Sequence, residues 1–383
     1  MSRETHVVLN ALANTGAGAF NVARQLAAHL GALKPDWRFT LLLVGDFPLH
    51  DQVTPQSLPG NVTIRRGPAA AQHRVGRMKF ERQFWPQFVR EQPISAALQL
   101  NGFMPRGVKI PVLAHEQDPW PYRPEAWDMG FPDRVIAFLR RRAHARAMKR
   151  ADIVGFTSNY LRELMIRELG ITPKRSRIFY NGLPESWLAR ASGPLPSWRD
   201  RPMELLSVSS VGLYKRQELV IRALPELLNR PGTGDLVYRV LGHHNSAEYV
   251  AGMKKLADDL GVGNRVIIEG RVPDQRVEDA MRRARAYVLM SVCESFGLPA
   301  IEAMSFGTPT VISNCCAHPE VGGDGAVLSS VDDVPALAGN LHRVLTDDAF
   351  SEALRRRGAK NIQRFRWSET AAQMAAALEE IAT

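Results

Sequence analysis

Cysteine is scarce in this chain: three among 383 residues, Cys293, Cys315 and Cys316. They are too few and too clustered for a disulfide framework or a zinc site, and this usage points to a reducing cytoplasm. Long apolar runs are also missing, since a membrane-crossing helix needs about 18 apolar residues in a row. The start, Met1 to Thr5, is polar and runs into a strand, so no signal peptide is expected. No Asp-x-Asp pair is present to hold a divalent cation, and there are no internal repeats or low-complexity tracts.

What is present is an ordinary globular composition with a basic surplus. Hydrophobic residues make up 45% and charged residues 23%, and the formal net charge is +10. The length allows two or three full cores. A basic surface favours anions: nucleotide sugars, phospholipid headgroups, lipid diphosphates or nucleic acid. No nucleic-acid fold motif accompanies the charge, which argues against nucleic acid as a partner. Two segments concentrate it. His73 to Arg90 mixes Arg74, Arg77, Lys79, Arg82 and Arg90 with Phe80, Phe84, Trp85 and Phe88. Arg134 to Arg150 mixes Arg140, Arg141, Arg142, Arg146, Lys149 and Arg150 with Val135, Ile136, Phe138 and Leu139. Each reads either as an amphipathic helix lying on an anionic membrane or as a solvated basic face whose apolar residues are core.

The most informative stretch runs from Cys293 to Pro309. It follows an apolar run, Ala286 to Met290, that reads as a buried strand. Pro299 suits a helix start, and Gly307 with Pro309 ends that helix. A further strand, Pro309 to Ser313, comes next. The helix start presents backbone N–H groups around Phe296, Gly297 and Leu298, and glycine lets a ligand approach closely. That is an anion site. Glu294 and Glu302 flank it. On a continuous helix they would stand about 12 Å apart along the axis; with a loop first, both can converge on one ligand. A carboxylate accepts only, so each can hold neighbouring hydroxyls of a sugar. The plainer alternative is that both merely favour the helix dipole.

The segment resembles the family-four retaining glycosyltransferases, whose signature is Glu, seven residues, Glu around a Phe-Gly-Leu-Pro core. Here it reads Glu294-Ser-Phe-Gly-Leu-Pro-Ala-Ile-Glu302, then Gly307-Thr-Pro-Thr-Val311, Pro319-Glu320-Val321 and Gly325-Ala-Val-Leu328. The resemblance implies an α/β chain of two Rossmann-like domains facing a central cleft, the GT-B fold. It places Glu294 near the transferred sugar and Glu302 on the nucleotide ribose, with the intervening amides on sugar hydroxyls and phosphate.

The rest of the chain fits alternating strands and helices. His6 to Leu12 reads as a strand entering Asn14-Thr15-Gly16-Ala17-Gly18-Ala19 and a helix from Phe20 to Leu30. A glycine-rich turn there suits phosphate, and Gly16 and Gly18 are candidate donor contacts. Asn21 stands where a dinucleotide fingerprint needs its third glycine, and a plain tight turn is the other reading. Strands follow at Phe39 to Val44, Val62 to Ile64 and Ile110 to His115. His115 ends its strand beside Glu116, Gln117 and Asp118, where open α/β sheets bind ligands. The resemblance puts His115 beside the transferred sugar; Glu116 and Asp118 have no counterpart in it. A strand from Ala151, a helix to about Leu169 and a strand from Arg177 to Tyr180 close the first domain, 1–191. Ser192 to Ser197 reads as a linker.

The second domain, 203–366, opens with a strand, Glu204 to Ser209, and a helix running to about Leu228. Lys215 and Arg216 are expected in that helix's first turn, against the dipole, which suggests an anionic ligand. The resemblance gives Lys215 the donor diphosphate. It expects an arginine five residues earlier, where Ser210 stands. Further strands are Leu236 to Leu241, Val266 to Ile268 and Ala326 to Ser329. By resemblance, the turn with Arg271 and Val272 would meet the nucleobase, largely through its backbone. Trp367 to Ala382 is an Ala-rich amphipathic helix that, by resemblance, crosses back to the first domain.

The resemblance implies a hexosyl transfer from a nucleotide-diphosphate sugar, GDP-mannose or a UDP-hexose, to a glycan or lipid-linked acceptor. The anomeric configuration is retained, and no metal or other cofactor is expected. Candidate catalytic residues are His115, Lys215 and Glu294. Residues Gly16, Gly18, Ser210, Lys215, Arg271, Val272, Phe296, Gly297, Leu298 and Glu302 would bind the donor. The setting would be the cytoplasm, with the inner membrane face as an acceptor-side surface. Rival readings are a sugar-nucleotide epimerase of the same fold and a sugar-nucleotide sensor without turnover. A dinucleotide-dependent dehydrogenase lacks its full glycine fingerprint here.

Overall fold

A computed structural model describes residues 4–105, 107–124, 130–194 and 197–382. Leu195 and Pro196 of the expected linker lie outside these. The chain divides into two compact units. One comprises residues up to Tyr122, Gly130–Gly182 and the segment from Phe365; the other comprises Leu183–Arg364 with the short stretch from Arg123.

The first unit is built on a parallel sheet of seven strands. They are β1 (His6–Asn10), β2 (Arg38–Val44), β3 (Val62–Gly67), β4 (Ala96–Gln99), β5 (Val112–Glu116), β6 (Ile153–Phe156) and β7 (Ser176–Ile178), in the order β3-β2-β1-β4-β5-β6-β7. The second unit has six: β8 (Glu204–Val208), β9 (Val237–Leu241), β10 (Val266–Glu269), β11 (Ala286–Leu289), β12 (Thr310–Ser313) and β13 (Ala326–Ser329), ordered β10-β9-β8-β11-β12-β13. Successive side chains on a strand point to opposite faces. Val7 and Leu9 accordingly enter one core layer of the first unit and Val8 the other. In the second unit Leu205, Tyr238, Ala286 and Val288 face one layer, and Leu206, Tyr287 and Leu289 the other. Burial on both faces is why these strands read as near-continuous apolar runs.

In each sheet the order reverses once, between β1 and β4 and between β8 and β11. Open α/β sheets bind ligands outside the carboxyl ends of the strands at such a reversal. In the first unit the reversal is flanked by the segment carrying Gly16 and Gly18. In the second it is flanked by the segments after β8 and β11, which carry Lys215 and Glu294.

The helix Trp367–Ala382 belongs to the first unit. Trp367, Met374, Leu378 and Ile381 join the core that contains Val7, Leu26 and Phe39. Thr370 Oγ1 donates to the Tyr180 carbonyl at 2.6 Å, and Glu380 pairs with Arg175 and Arg177. Gly182 is required here, because a Cβ on it would stand 2.2 Å from the Trp367 nitrogen.

The two basic segments differ. The helix Arg74–Glu91 buries Phe84, Trp85 and Phe88 in the first unit's second core layer, so its aromatic residues are core. The helix Phe131–Arg150 instead exposes Phe131, Val135, Ile136, Phe138 and Leu139. We expect Trp367→Ala to cost the first unit about 3–5 kcal/mol, the usual range for truncating a fully buried tryptophan. Urea unfolding followed by amide exchange in strands β1 and β4 checks this, and exchange in β8 and β11 is expected to stay as in the wild type.

Candidate functional site

The site of the second unit is assembled by two short segments that leave neighbouring strands. After β8 the chain passes Ser209 and Ser210, makes a short 3-10 turn, Leu213–Lys215, and enters the helix Gln217–Leu228. After β11 it passes Ser291 to Gly297 and enters the helix Leu298–Ser305. The Tyr214 carbonyl accepts from the Val292 amide at 2.8 Å and from Ser291 Oγ at 3.2 Å. That clasp brings Lys215 to Glu294, and the two form a direct ion pair. Lys215 is only 8% exposed.

Burial favours the neutral form of both partners, but their attraction wins. Burial pulls the Lys215 ammonium down, and the Glu294 carboxylate beside it lifts it above the ordinary lysine value. Burial pushes Glu294 up, while Lys215 and, less strongly, His318 bring it below the ordinary carboxylate value. The Lys215 ammonium also lies 4.8 Å from the centre of the Tyr214 ring. Lys215 and Arg216 do not lie in the first helical turn, as the sequence suggested. Lys215 closes the 3-10 turn, and Arg216 caps the helix with φ 52°, a left-handed conformation. Its guanidinium Nε holds Glu218 at 2.6 Å. Arg216 is therefore committed to its own helix. Ser210, where an arginine was expected, bonds the Tyr214 hydroxyl at 2.7 Å.

The helix Leu298–Ser305 begins at Gly297, whose φ of 95° is left-handed, and no side chain caps it. A Cβ on Gly297 would stand 2.9 Å from His318 Cδ2, so the buried imidazole fills the space a side chain would take. Phe296 is buried and Leu298 half-buried. Glu302 lies one turn into the helix, and burial, then the nearby Asp274 carboxylate, push its carboxyl up to about 7. Asp274 opens the helix that follows Arg271 and Val272, so Glu302 faces that turn. Arg271 is exposed, and Val272 packs against the core layer of Leu206 and Tyr287. The same turn is tied to the end of β9, since the Gly242 amide donates to the Gly270 carbonyl at 3.2 Å. Near both glutamates lies Tyr287, whose hydroxyl donates to the Val208 carbonyl at 3.1 Å. Burial, then Glu302 and Glu294, keep that phenol protonated. Ser210, Lys215, Arg271, Val272, Phe296, Gly297, Leu298, Glu294 and Glu302 thus all belong to one unit.

Gly16, Gly18 and His115 belong to the first unit. Gly16 is the N-cap of the helix Ala17–Leu33 and Gly18 lies in its first turn. A Cβ at either would meet nothing within 4 Å, so nothing in the protein requires glycine there. His115 is buried at the end of β5 against the Gly155 backbone; burial lowers it to about 3, so the ring is neutral. Next to it Glu116 is pushed up to about 8 by burial, then by Asp118, and both its oxygens are unpartnered. His144 Nε2 stands 3.8 Å away, with its Nδ1 on the Tyr122 hydroxyl at 2.8 Å. Asp118 is held by Arg140 at 2.5 Å. Sequence reasoning passed over His318, Tyr214, Tyr287 and Asp274. The flanking Pro319-Glu320-Val321 was the available signal for His318.

Among the described residues no helix is long and apolar enough to cross a membrane. Residues 196–363 match the family described as "Glycosyl transferases group 1". The chain is 38% identical over 104 residues to O-antigen chain mannosyltransferase B of Escherichia coli, covering 27% of each chain. It is 30% identical over 187 residues to a phosphatidyl-myo-inositol mannosyltransferase of Mycolicibacterium smegmatis, covering 47% of this chain and 46% of that one. The chain thus spans less than half the length of these curated relatives. The solved structure of HepE from Anabaena in complex with UDP-glucose superposes with a TM-score of 0.76 and 17% identity, over 98% of this chain and 100% of that one. That likeness establishes the fold, two Rossmann-like sheets of the GT-B type.

Glu302→Gln tests the burial of this carboxyl without any ligand. A carboxyl whose folded value is raised favours the fold at low pH and gives up that advantage as pH rises from the unfolded value toward about 7. The glutamine mimics the neutral acid. The variant should melt with the wild type near pH 4.5 and above it at pH 8, as read by thermal denaturation across that range.

Proposed function

We propose, for a chain whose residues 196–363 match the group 1 glycosyl transferases, that the protein moves a hexosyl group from a nucleotide-diphosphate sugar to a glycan or lipid-linked acceptor. The transfer retains the anomeric configuration and needs no metal. GDP-mannose and UDP-hexoses are the donor candidates: two relatives carry mannosyltransferase names, and a structural neighbour was solved with UDP-glucose. The observation that carries the reading is the uncapped, left-handed Gly297 turn, with the Lys215–Glu294 pair on one side and Glu302 on the other.

In this reading the diphosphate settles against the amides at Gly297 and Leu298 and draws the Lys215 ammonium onto itself. Glu294 is then free to accept from sugar hydroxyls, and Glu302 from the ribose. As the bond from the anomeric carbon to the diphosphate breaks, charge grows on the leaving oxygen. Lys215 and the helix amides stabilise that charge more strongly than the ground state, which is what accelerates a reaction. The acceptor hydroxyl attacks from the face the diphosphate leaves, and its proton goes to the leaving phosphate oxygen. His115, buried and neutral, is a candidate sugar contact.

The acceptor side is proposed to lie at an anionic membrane surface. Phe131, Val135, Phe138 and Leu139 follow helical spacing along one exposed stripe, and Arg142 lies 5.7 Å from the Phe138 ring. Apolar residues flanked by arginines are the pattern of a helix resting on a charged bilayer.

Two experiments test these readings. A panel of nucleotide sugars should show one donor that is consumed only with acceptor and equally in EDTA; epimerised donor without acceptor would instead favour the epimerase. With that donor saturating, Lys215→Ala should slow single turnover by about 2.7–4 kcal/mol, as loss of one oxyanion donor does, and weaken nucleotide binding less. A rate near the wild type removes Lys215 from the leaving-group role. For the membrane surface, sedimentation with vesicles containing phosphatidylglycerol should retain the wild type at low salt and release Phe138→Glu. Equal binding of both proteins would show that the helix does not touch lipid.

A further inference from the structure

His318 opens the short helix His318–Gly322 after β12 and is fully buried. Its ring nitrogens are not equivalent. Nδ1 lies 2.7 Å from Ser313 Oγ. That hydroxyl has one proton, and it goes to the Ser291 carbonyl at 2.6 Å, since a carbonyl can only accept. Ser313 Oγ must therefore accept from His318, which places the ring proton on Nδ1. Nε2 is left as a bare lone pair with no partner. A buried unpartnered acceptor is costly, so such a group calls for an explanation. The nitrogen faces the Gly297 turn, where an added Cβ would stand 3.1 Å from it.

The charged groups acting on the ring are Glu294, from the segment after β11, and Lys215, from the turn after β8. On its own segment the Cys315 thiol shares Ser313 Oγ with it at 3.3 Å. Burial above all lowers the ring to about 4 and keeps it neutral; Glu294 opposes this by raising it, and Lys215, less strongly, lowers it. This balance holds while the Lys215 ammonium and the Glu294 carboxylate cancel each other.

A diphosphate changes the count. It brings at least two negative charges to a place where one ammonium already serves one carboxylate. Arg216 is tied to Glu218, and Ser210 brings no charge. Resting on the donor reading above, we infer that His318 takes up a proton on Nε2 when a nucleoside diphosphate binds, and replaces Lys215 as the cation that orients Glu294. His318 is thus a positioning residue. It acts through Glu294, holding one carboxylate oxygen so that the other stays directed at the sugar, while Lys215 serves the diphosphate. The proton comes from solvent and returns to it when the nucleoside diphosphate leaves.

The test uses the intact protein with GDP and UDP as probes. Calorimetry at pH 7 in buffers of different ionisation enthalpy reads the protons exchanged on binding. The wild type should take up more protons than either His318 variant. His318→Leu should lose the uptake and bind more weakly. His318→Gln, whose amide offers an N–H without titrating, should lose the uptake yet recover the affinity. In the unsubstituted protein, the imidazole nitrogen shifts of His318 should pass from one bare nitrogen to two protonated ones on addition of the nucleotide. That measurement does not depend on a variant folding. Nucleotide binding with an unchanged His318 spectrum, or with proton uptake equal in all three proteins, overturns the inference and leaves the donor reading standing. If neither nucleotide binds, the donor reading falls and this inference with it.

Discussion

The ion pair between Lys215 and Glu294 is the constraint on which the second unit's site depends. Neither charge would be stable alone at such burial, because desolvation opposes both. Each is kept ionised by the other, so the two segments after β8 and β11 must stay side by side. The Tyr214 carbonyl, clasped by Ser291 and Val292, supplies the backbone half of that link. In the proposed reading, an arriving anion would compete for an ammonium that is already ionised and placed.

The order of the strands explains why the pair is possible at all. Strands β8 and β11 are neighbours, with Ala286 opposite Leu205 and Tyr287 opposite Leu206, although about eighty residues separate them in the chain. Their carboxyl ends open at the same edge of the sheet. Tyr287, on β11, is near enough to both glutamates for their charges to act on its phenol.

Much of this was legible in the sequence. The two-sheet architecture followed from alternating apolar runs, and the segment from Glu294 to Pro309 announced its strand, turn and helix through Gly297, Pro299 and Gly307. The β4 strand was missed because Ala96–Gln99 is four residues long and half alanine, with little β-branched character to set it apart. The misplacement of Lys215 had a different cause: a 3-10 turn and a left-handed Arg216 have no clear propensity signal, since arginine rarely adopts positive φ. The two basic segments could not be separated by composition. Tertiary packing decided that Phe84 and Trp85 are core while Phe131 and Phe138 are not. His318 was passed over for a related reason, although the neighbouring Pro319-Glu320-Val321 marked its segment. Its importance comes from a hydrogen-bond direction set by Ser313 and Ser291, and from a missing side chain at Gly297.

The position of Trp367–Ala382 has a consequence for how the chain becomes a protein during synthesis. The ribosome releases residues in order, and domains usually fold as they emerge. The core around Val7, Leu26 and Phe39 is unfinished until Trp367, Met374 and Leu378 arrive, after all of Leu183–Arg364. The stretch from Leu183 to Arg364 holds almost all of its own unit and needs no such late arrival. The half translated first is therefore the half completed last. During that interval its apolar β-sheet face stands uncovered, and a chaperone bound to the nascent chain would find its substrate there.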